Sequence, residues 1–171
     1  MDPALEVDST WSGGSIWGSS ELLAQVLIEK QLQFWQEHPR VLELGTGCGL
    51  VAIVAAAMGA RYVVATDQII HMAQHNVEAN FLFSTKERKR VDVRRLRWGC
   101  AEDMSAILSL PSDYSRDADE DDQLQQSKKR VQDPVPYDLI LGSDCIYNRD
   151  SHASLATTID SMAGVGATVL W

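Results

Sequence analysis

Short apolar segments alternate along the chain with longer segments that have helical periodicity. Apolar runs or strict alternation, which are typical of strands, occur over residues 40–44, 62–66, 91–96, 137–142 and 168–171. One-sided apolar patterns, which are typical of helices, start at Ser19 or Ser20 and end at Pro39, and recur over 50–58, 69–83 and 150–162. The pattern therefore predicts five strands that alternate with helices.

The alternation of strand and helix predicts an α/β fold. The segments 63–65 and 139–142 are apolar on both faces, as in a parallel sheet that helices cover on both sides. Right-handed crossovers then give a Rossmann-like, doubly wound, mainly parallel sheet. Ligands of such sheets bind at the carboxyl ends of the strands.

Two segments differ from this pattern. Residues 1–18 are rich in Ser, Gly and Trp, and we expect an irregular lead-in there. Residues 19–171 would form the core, interrupted at about 111–136 by an insertion in which Asp117–Asp122 is almost wholly acidic. Because few of its residues are apolar, we expect this insertion to be solvated and mobile.

A glycine-rich loop follows the first strand and is the most specific motif. Gly45, Gly47 and Gly49 let the backbone turn sharply and let a ligand approach closely, and Asp67 at the end of the second strand can accept both hydroxyls of a ribose. A dinucleotide fingerprint needs its third glycine one residue later. Glu43 also suits a cationic ligand better than a pyrophosphate. S-adenosylmethionine, which carries an ammonium, a sulfonium and no phosphate, is therefore favoured over a dinucleotide. The remaining interpretation is a tight turn that binds no ligand.

Four stretches resemble one enzyme family. Residues 43–50, E-L-G-x-G-x-G-L, with the acid Asp67, resemble motif I of the class I (seven-β-strand) S-adenosylmethionine methyltransferases. Residues 14–17, 97–99 and 143–147 resemble the N-terminal G-x-x-[VIL]-W segment, the W-G turn and the D-x-x-Y motif of the methyltransferase-like protein-lysine methyltransferases. Together they point to the lysine-modifying branch.

The resemblance implies a role for each matching residue. The residues implied to bind the cofactor are Trp17, Glu43, Gly45, Thr46, Gly47, Gly49, Asp67, Gln68, Trp98 and Ser143. Among them Glu43 would lie near the ammonium, Asp67 would hold the ribose, Trp98 would pack on the adenine and Trp17 would help to close the pocket. Asp144 and Tyr147 are the implied catalytic residues, lining the channel for the lysine. The simpler interpretations are half-buried aromatic side chains and, for Asp144, a helix cap.

The resemblance also implies the strand order 3-2-1-4-5. The family's sixth strand and its antiparallel seventh strand have no counterpart in this sequence. We therefore expect the chain to be a fragment, or a partner chain to cover the exposed edge of the fifth strand, because an uncovered apolar edge promotes aggregation.

The expected activity is methyl transfer from S-adenosylmethionine to a lysine nitrogen of a protein substrate, with S-adenosylhomocysteine as the product and no metal. The first alternative is a truncated module that binds the cofactor or a partner without turnover. The second is a methyltransferase acting on RNA or a small molecule. The D-x-x-Y motif argues against it, because methyltransferases that modify amino groups of nucleic acids have N/D-P-P-Y/F at this place.

Charge and composition indicate which kinds of partner the chain is expected to bind. The chain has 15 Lys and Arg and 24 Asp and Glu, which gives a net charge of -9. This charge disfavours binding to nucleic acid and to anionic membranes. The longest apolar run, Leu50 to Met58, is too short to span a bilayer, and no signal peptide is recognisable. The three cysteines predict free thiols. We expect a cytoplasmic location, with the nucleus as the alternative.

Three further features receive simple interpretations. His71 and His75 have metal-ligand spacing but no third ligand, so a solvated helix face is favoured. Cys48 has no base beside it and is interpreted as a packing residue. The basic residues between Lys86 and Arg97 are interpreted as a solvated face, with contact to RNA or an acidic partner as the alternative.

Overall fold

The computed structural model describes residues 13–29, 33–81, 90–110 and 135–171. The strands are β1 (Arg40–Leu44), β2 (Tyr62–Asp67), β3 (Val91–Arg95), β4 (Tyr137–Gly142) and β5 (Ala163–Leu170). The α-helices are α1 (Gly18–Glu29), α2 (Leu50–Ala57), α3 (His71–Asn80), α4 (Ala101–Leu108) and α5 (His152–Met162). Short 3-10 helices cover Gln33–Glu37 and Arg149–Ser151.

The five strands form one parallel sheet in the order β3-β2-β1-β4-β5. This confirms the predicted α/β class and strand order. In the register of the central strand, Leu44 lies beside Thr66 of β2 and beside Gly142 of β4. The loops that follow β1, β2 and β4 therefore leave the sheet side by side at its carboxyl edge.

Alternate residues of the strands enter two hydrophobic layers. Val41 of β1 and Val63 of β2 face one layer, which is completed by apolar residues of α1, α2 and α3. Leu42 and Val64 face the other layer, with residues of α4 and α5. All five residues of β1 are buried, because it is paired on both edges and covered on both faces. This is the arrangement that the two-sided apolar strands predicted.

The structure differs from the sequence prediction at several element bounds. α1 ends at Glu29, well before Pro39, and α3 is shorter than the predicted helix over 69–83. The helix α4 was not predicted; it has eight residues, of which only Ile107 is buried. Residues 1–12 and 111–134 lie outside the described residues, so the lead-in and the mobile insertion remain predictions there.

The last strand begins five residues earlier than predicted. β5 starts at Ala163 directly after α5, and its first residues are glycine-rich, which conceals a strand in a sequence pattern. Tyr137 pairs with Ala163 but Leu139 already pairs with Thr168, so β5 bulges between these two pairs. Within the described residues β5 is an edge strand of the sheet. None of the described helices is long and apolar enough to cross a membrane.

A buried arginine holds the opposite, amino edge of the sheet. The Arg40 guanidinium lies 4.2 Å from the ring centre of Tyr137 and 5.7 Å from that of Tyr62. It donates hydrogen bonds to the carbonyl oxygens of Leu110 at 3.3 Å, Val135 and Pro136. Arg40 therefore joins the end of α4 and the start of β4 to the base of β1.

Replacing Arg40 by Met should lower the free energy of unfolding by about 2–4 kcal/mol, because buried carbonyl groups lose their donor. Urea unfolding followed by circular dichroism measures this change. Arg61→Met is the matched control, since Arg61 is exposed and its nitrogen lies 3.8 Å from Asp138; its loss should stay below about 1 kcal/mol. Equal losses in the two variants would contradict the assignment of a stabilising role to Arg40.

Candidate active site

The glycine-rich loop leaves β1 in a conformation that requires glycine. Gly45 has a φ of 68°, a left-handed conformation that side chains rarely adopt. A Cβ atom at Gly45 would lie 3.0 Å from Cys145 Sγ and 3.5 Å from the ring of Trp98. The next residue is tied to β2, because the Thr46 amide donates to the Thr66 carbonyl at 2.8 Å. The loop is therefore narrow, fixed and free of side-chain bulk at its first residue.

Asp67 connects this loop to the end of β2. Its Oδ2 accepts a hydrogen bond from the Gly47 amide at 2.9 Å, and its Oδ1 accepts from the amides of Gln68 at 2.7 Å and Ile69 at 3.3 Å. A carboxylate has about four acceptor positions, so these three bonds leave capacity for a ligand hydroxyl. Asp67 thus shapes the loop and still presents an acceptor at the sheet edge.

A cavity of about 310 Å³ lies at the carboxyl edge of the sheet, in the size range of small-molecule sites. Most of the residues predicted for the site line it together. They are Trp17, Gly45, Thr46, Gly47, Asp67, Gln68, Trp98, Ser143, Asp144 and Tyr147. Residues from five separate parts of the sequence therefore meet in one cavity.

The lining of this cavity is acidic and aromatic. Asp67 and Asp144 supply two carboxyl groups, and Trp17, Trp98 and Tyr147 supply three aromatic rings. In the described part of the chain, no Lys, Arg or His lines the cavity. A pyrophosphate would find no basic side chain here, whereas a cationic ligand with a planar ring meets both carboxylates and aromatic faces.

Two predicted residues do not line the cavity. Gly49 is the N-cap of α2 and lies against Ala73 of α3. Glu43 is fully buried in β1, where its Oε2 accepts a hydrogen bond of 2.5 Å from the Thr46 hydroxyl. The described structure thus connects Glu43 to the cavity through Thr46, which does line it.

Burial raises the pKa of the Glu43 carboxyl to about 8, and the nearby charge of Asp67 acts in the same direction. The hydrogen bond from Thr46 opposes this increase but is the weaker effect. Glu43 is therefore protonated at neutral pH in the folded protein. The negative charge available to a ligand in this cavity comes from the two aspartates that line it.

The turn that carries Trp98 is fixed from α5. The Gly99 amide donates to Thr158 Oγ1 at 2.8 Å, and the Thr158 hydroxyl donates to the Ser154 carbonyl, also at 2.8 Å. On the other side of the turn, Arg97 and Asp103 form an ion pair with 2.8 Å between Nε and Oδ2. The ring of Trp98 is thereby held against the loop at Gly45.

The loop after β4 has one buried residue, Cys145, among exposed neighbours. Asp144 is exposed and has a φ of 56°, a left-handed conformation that Asp tolerates better than most residues. Cys145 is buried, and its thiol donates to the Leu44 carbonyl at 3.1 Å. Burial raises the pKa of this thiol to about 12, which keeps it neutral and suited to this bond.

Asp144 does not act as a helix cap. The cap of the following 3-10 helix is Asn148, whose Oδ1 accepts from the Asp150 amide at 3.0 Å. Among the residues that the structure describes, neither the Asp144 carboxylate nor the Tyr147 hydroxyl has a hydrogen-bond partner. Both groups line the cavity and are therefore available to a ligand.

The N-terminal segment closes one side of the cavity. The Gly13 carbonyl accepts a hydrogen bond of 3.3 Å from the Cys48 thiol. Trp17 lines the cavity, and its carbonyl accepts from the Ser20 amide at 2.9 Å and from the Ser20 hydroxyl at 2.7 Å at the start of α1. The glycine-rich loop and this segment are thus joined by direct contact.

Sequence reasoning missed several residues that support the site. The Asn76 side chain on α3 donates to the Cys48 carbonyl at 2.8 Å, and Thr158 supports the turn of Trp98. Asn148 and Ser151 line the cavity, as does Cys48, for which a packing role was predicted. No local pattern identifies these residues, because each acts through contacts that only the folded chain creates. No group of three potential metal ligands occurs in the described ranges, and His71 and His75 remain a pair on α3.

A family model described as "Lysine methyltransferase" matches residues 4–114 and 121–171 of the chain. Bovine protein-lysine methyltransferase METTL21E is 27% identical over 161 residues, which are 93% of this chain and 46% of the bovine protein. Protein N-lysine methyltransferase METTL21A of Xenopus tropicalis is 25% identical, over 97% of this chain and 64% of that protein. Protein-lysine N-methyltransferase EFM6 of Saccharomyces cerevisiae is 26% identical, over 92% of this chain and 62% of that protein.

Solved structures agree on the fold. A ribosomal protein L11 methylase from Lactobacillus delbrueckii has a TM-score of 0.50 at 20% identity, over 91% of this chain and 60% of that one. Protein arginine methyltransferase 10 of Arabidopsis thaliana has a TM-score of 0.54 at 18% identity, over 87% of this chain and 34% of that one. The chain spans about half the length of the curated relatives first matched.

The protonated state of Glu43 makes the stability depend on pH. Its pKa is 4.5 in an unfolded chain and about 8 in the folded protein, so folding takes up a proton between these values. The free energy of unfolding should therefore fall as the pH rises through this window, by at most about 1.4 kcal/mol per unit. Glu43→Gln should remove this contribution, as measured by urea unfolding at several pH values.

Comparing variants isolates Glu43 from other groups that titrate in the same window. The control is Glu29→Gln, since Glu29 is exposed at the end of α1 and should follow the wild type. A constant difference between the wild type and Glu43→Gln from pH 5 to 8 would mean that Glu43 is charged in the folded protein.

Proposed function

The chain belongs to the lysine methyltransferase family, and from this premise we propose that it transfers a methyl group from S-adenosylmethionine to a lysine side-chain nitrogen of a protein. The observation that carries the proposal is the single cavity that joins the glycine-rich loop, Asp67, Trp98 and the D-x-x-Y residues. Both halves of such a reaction, the methyl donor and the acceptor amine, need to meet in one place.

The residues of the cavity fit the cofactor. The first glycine of the loop leaves a cradle that a side chain would fill, since a Cβ atom at Gly45 would contact Cys145 and Trp98. Asp67 supplies the acceptor for a ribose hydroxyl at the end of β2. Trp98 supplies an aromatic face for the adenine. The absence of basic side chains from the described lining suits a cofactor with an ammonium, a sulfonium and no phosphate.

The bound cofactor supplies an activated methyl group on its sulfonium, so the protein needs mainly to align the two partners. Alignment of this kind contributes about 7–11 kcal/mol to lowering a barrier. The glycine-rich loop and Asp67 are joined by the Gly47–Asp67 hydrogen bond of 2.9 Å, which fixes the donor half of the cavity. The loop after β4 is anchored by Cys145 on the Leu44 carbonyl, which fixes the acceptor half.

Asp144 and Tyr147 receive the lysine in this proposal. A lysine amine has a pKa of about 10.4, and it attacks only in its neutral form. Because a nearby carboxylate stabilises the ammonium, Asp144 is assigned to binding and orienting the amine and not to strong base catalysis. Tyr147 presents its ring face or its hydroxyl to the same nitrogen. The positive charge of the cofactor, when bound, would also favour the neutral form of the amine.

Gly45→Ala should weaken binding of S-adenosylmethionine about tenfold or more, because the new methyl group fills the cradle and displaces Cys145 or Trp98. Isothermal titration calorimetry with the whole chain measures this. The control is Gly166→Ala, where the φ of 80° imposes similar backbone strain but no atom lies within 4 Å of the added carbon. Its affinity should equal that of the wild type. Loss of affinity in both variants would attribute the effect to strain, and no binding to the folded wild type would contradict the proposed cofactor site.

Asp144→Asn should keep the affinity for S-adenosylmethionine and lower methyl transfer to lysine about tenfold or more, because the amine loses its charged partner. Asn also tolerates the left-handed conformation at this position, so the loop geometry is kept. The assay follows radiolabelled methyl groups into protein and identifies methyl-lysine by mass spectrometry. Asp150→Asn, an exposed acid six residues further on, is the control and should retain the wild-type rate. Cofactor binding without any transfer by the wild type would identify a binding module and contradict the enzymatic proposal.

A further inference from the structure

Large apolar side chains are exposed at the mouth of the cavity. Among the described residues eight large hydrophobic side chains are exposed, and half of them lie on the two segments that border the cavity. These four form what we name the apolar rim: Ile16, Trp17, Ile146 and Tyr147. Their exposed fractions are 56%, 49%, 69% and 73%. Such clustering of exposed apolar groups next to a site is typical of a recognition surface.

The Ile146 side of the apolar rim is held rigidly. Cys145 anchors the loop on one side through its thiol bond of 3.1 Å to the Leu44 carbonyl. On the other side, His152 Nε2 lies 2.9 Å from the Ile146 carbonyl and forms a hydrogen bond with it. The backbone of Ile146 is thus fixed between two anchors while its side chain points to solvent. A mobile loop could bury this side chain, but an anchored loop keeps it available.

The Trp17 side of the apolar rim is fixed by the start of α1. The Trp17 carbonyl accepts two hydrogen bonds from Ser20, at 2.9 Å from the amide and 2.7 Å from the hydroxyl. Ile16 and Trp17 both line the cavity, together with Tyr147 from the loop after β4. Apolar side chains from both segments therefore line the cavity together with Asp144.

This arrangement matches an occupant with a cationic head, an apolar stem and apolar neighbours. The head reaches Asp144, which the proposed function assigns to the lysine, and the chain's net charge of -9 favours a cation and disfavours acidic groups beside it. Ile146 is exposed but does not line the cavity. Its side chain can therefore contact the substrate residues on either side of the lysine that enters the cavity.

We propose that the apolar rim selects target lysines that are flanked by apolar residues in the protein substrate. This inference rests on the proposed function, since it specifies which lysines the same site accepts. Burial of apolar side chains of the substrate against Ile16 and Ile146 supplies the selection, and the aspartates of the cavity discriminate against acidic neighbours.

Two peptides of equal length test this selection with the whole chain and saturating S-adenosylmethionine. One has leucine on both sides of a central lysine, and the other has serine at the same positions. We expect kcat/KM for methyl transfer to be about five- to tenfold higher for the leucine peptide, as expected when two side chains are partly buried. Equal values for the two peptides, or a higher value for the serine peptide, would overturn the inference.

Two variants assign the preference to the apolar rim. Ile146→Ser should reduce the ratio between the two peptides to less than about twofold. Val165→Ser is the matched control, because Val165 is a fully exposed apolar residue near the amino edge of β5, far along the sheet from the cavity, and it should keep the wild-type ratio. A preference that Ile146→Ser leaves intact would overturn the assignment.

The outcomes separate this inference from the proposed function. Transfer to both peptides at equal rates would leave the lysine methyltransferase proposal standing and remove the apolar selection. Transfer to neither peptide, with S-adenosylmethionine bound in calorimetry, would overturn the proposed function and this inference with it.

Discussion

The central strand β1 is paired on both edges and covered on both faces, and the whole candidate site depends on that complete burial. Because β2 and β4 run parallel to it in register, their loops must leave the sheet beside its own. The polar groups of these loops then satisfy one another: the Thr46 amide bonds to the Thr66 carbonyl, and the Cys145 thiol bonds to the Leu44 carbonyl. The cavity is the space that these mutual bonds leave at the carboxyl edge.

Burial also divides the acidic residues of the site into two kinds. Glu43 lies inside the sheet, and desolvation raises its pKa to about 8, so it serves the loop as a neutral hydrogen-bonding partner of Thr46. Asp67 and Asp144 lie at the accessible edge of the sheet and line the cavity. Carboxyl groups close to one another in the fold therefore have different chemistry. A cationic ligand meets its compensating charge at the cavity wall and not in the core beneath it.

Much of the fold could be predicted from the sequence, because its strongest signals are local. The bounds of β1 and β4 agree with the apolar runs, and Asp67 ends β2 as the strand pattern indicated. The prediction failed for the early residues of β5, where glycines interrupt the apolar pattern, and for α4, where only one residue is buried.

The candidate site shows the same division between local and tertiary signals. The glycine loop and Asp67 were evident from spacing, whereas Asn76 and Thr158 act through hydrogen bonds over 28 and 59 positions of sequence. Only the folded chain brings such groups together. Glu43 shows the limit from the other direction: its place in the motif was evident, but its hydrogen bond with Thr46 and its absence from the cavity lining were not.

The orientation of Asp144 follows from the backbone and not from hydrogen bonds of its own side chain. β4 ends at Gly142, and Cys145 must be buried to reach the Leu44 carbonyl, so the chain has to turn within two residues. Asp144 makes that turn with a φ of 56°, a conformation that Asp adopts more readily than most residues. A side chain that owes its position to the turn has no need of a protein partner. Its carboxylate is therefore free for the ligand, which is the arrangement a residue that orients an amine requires.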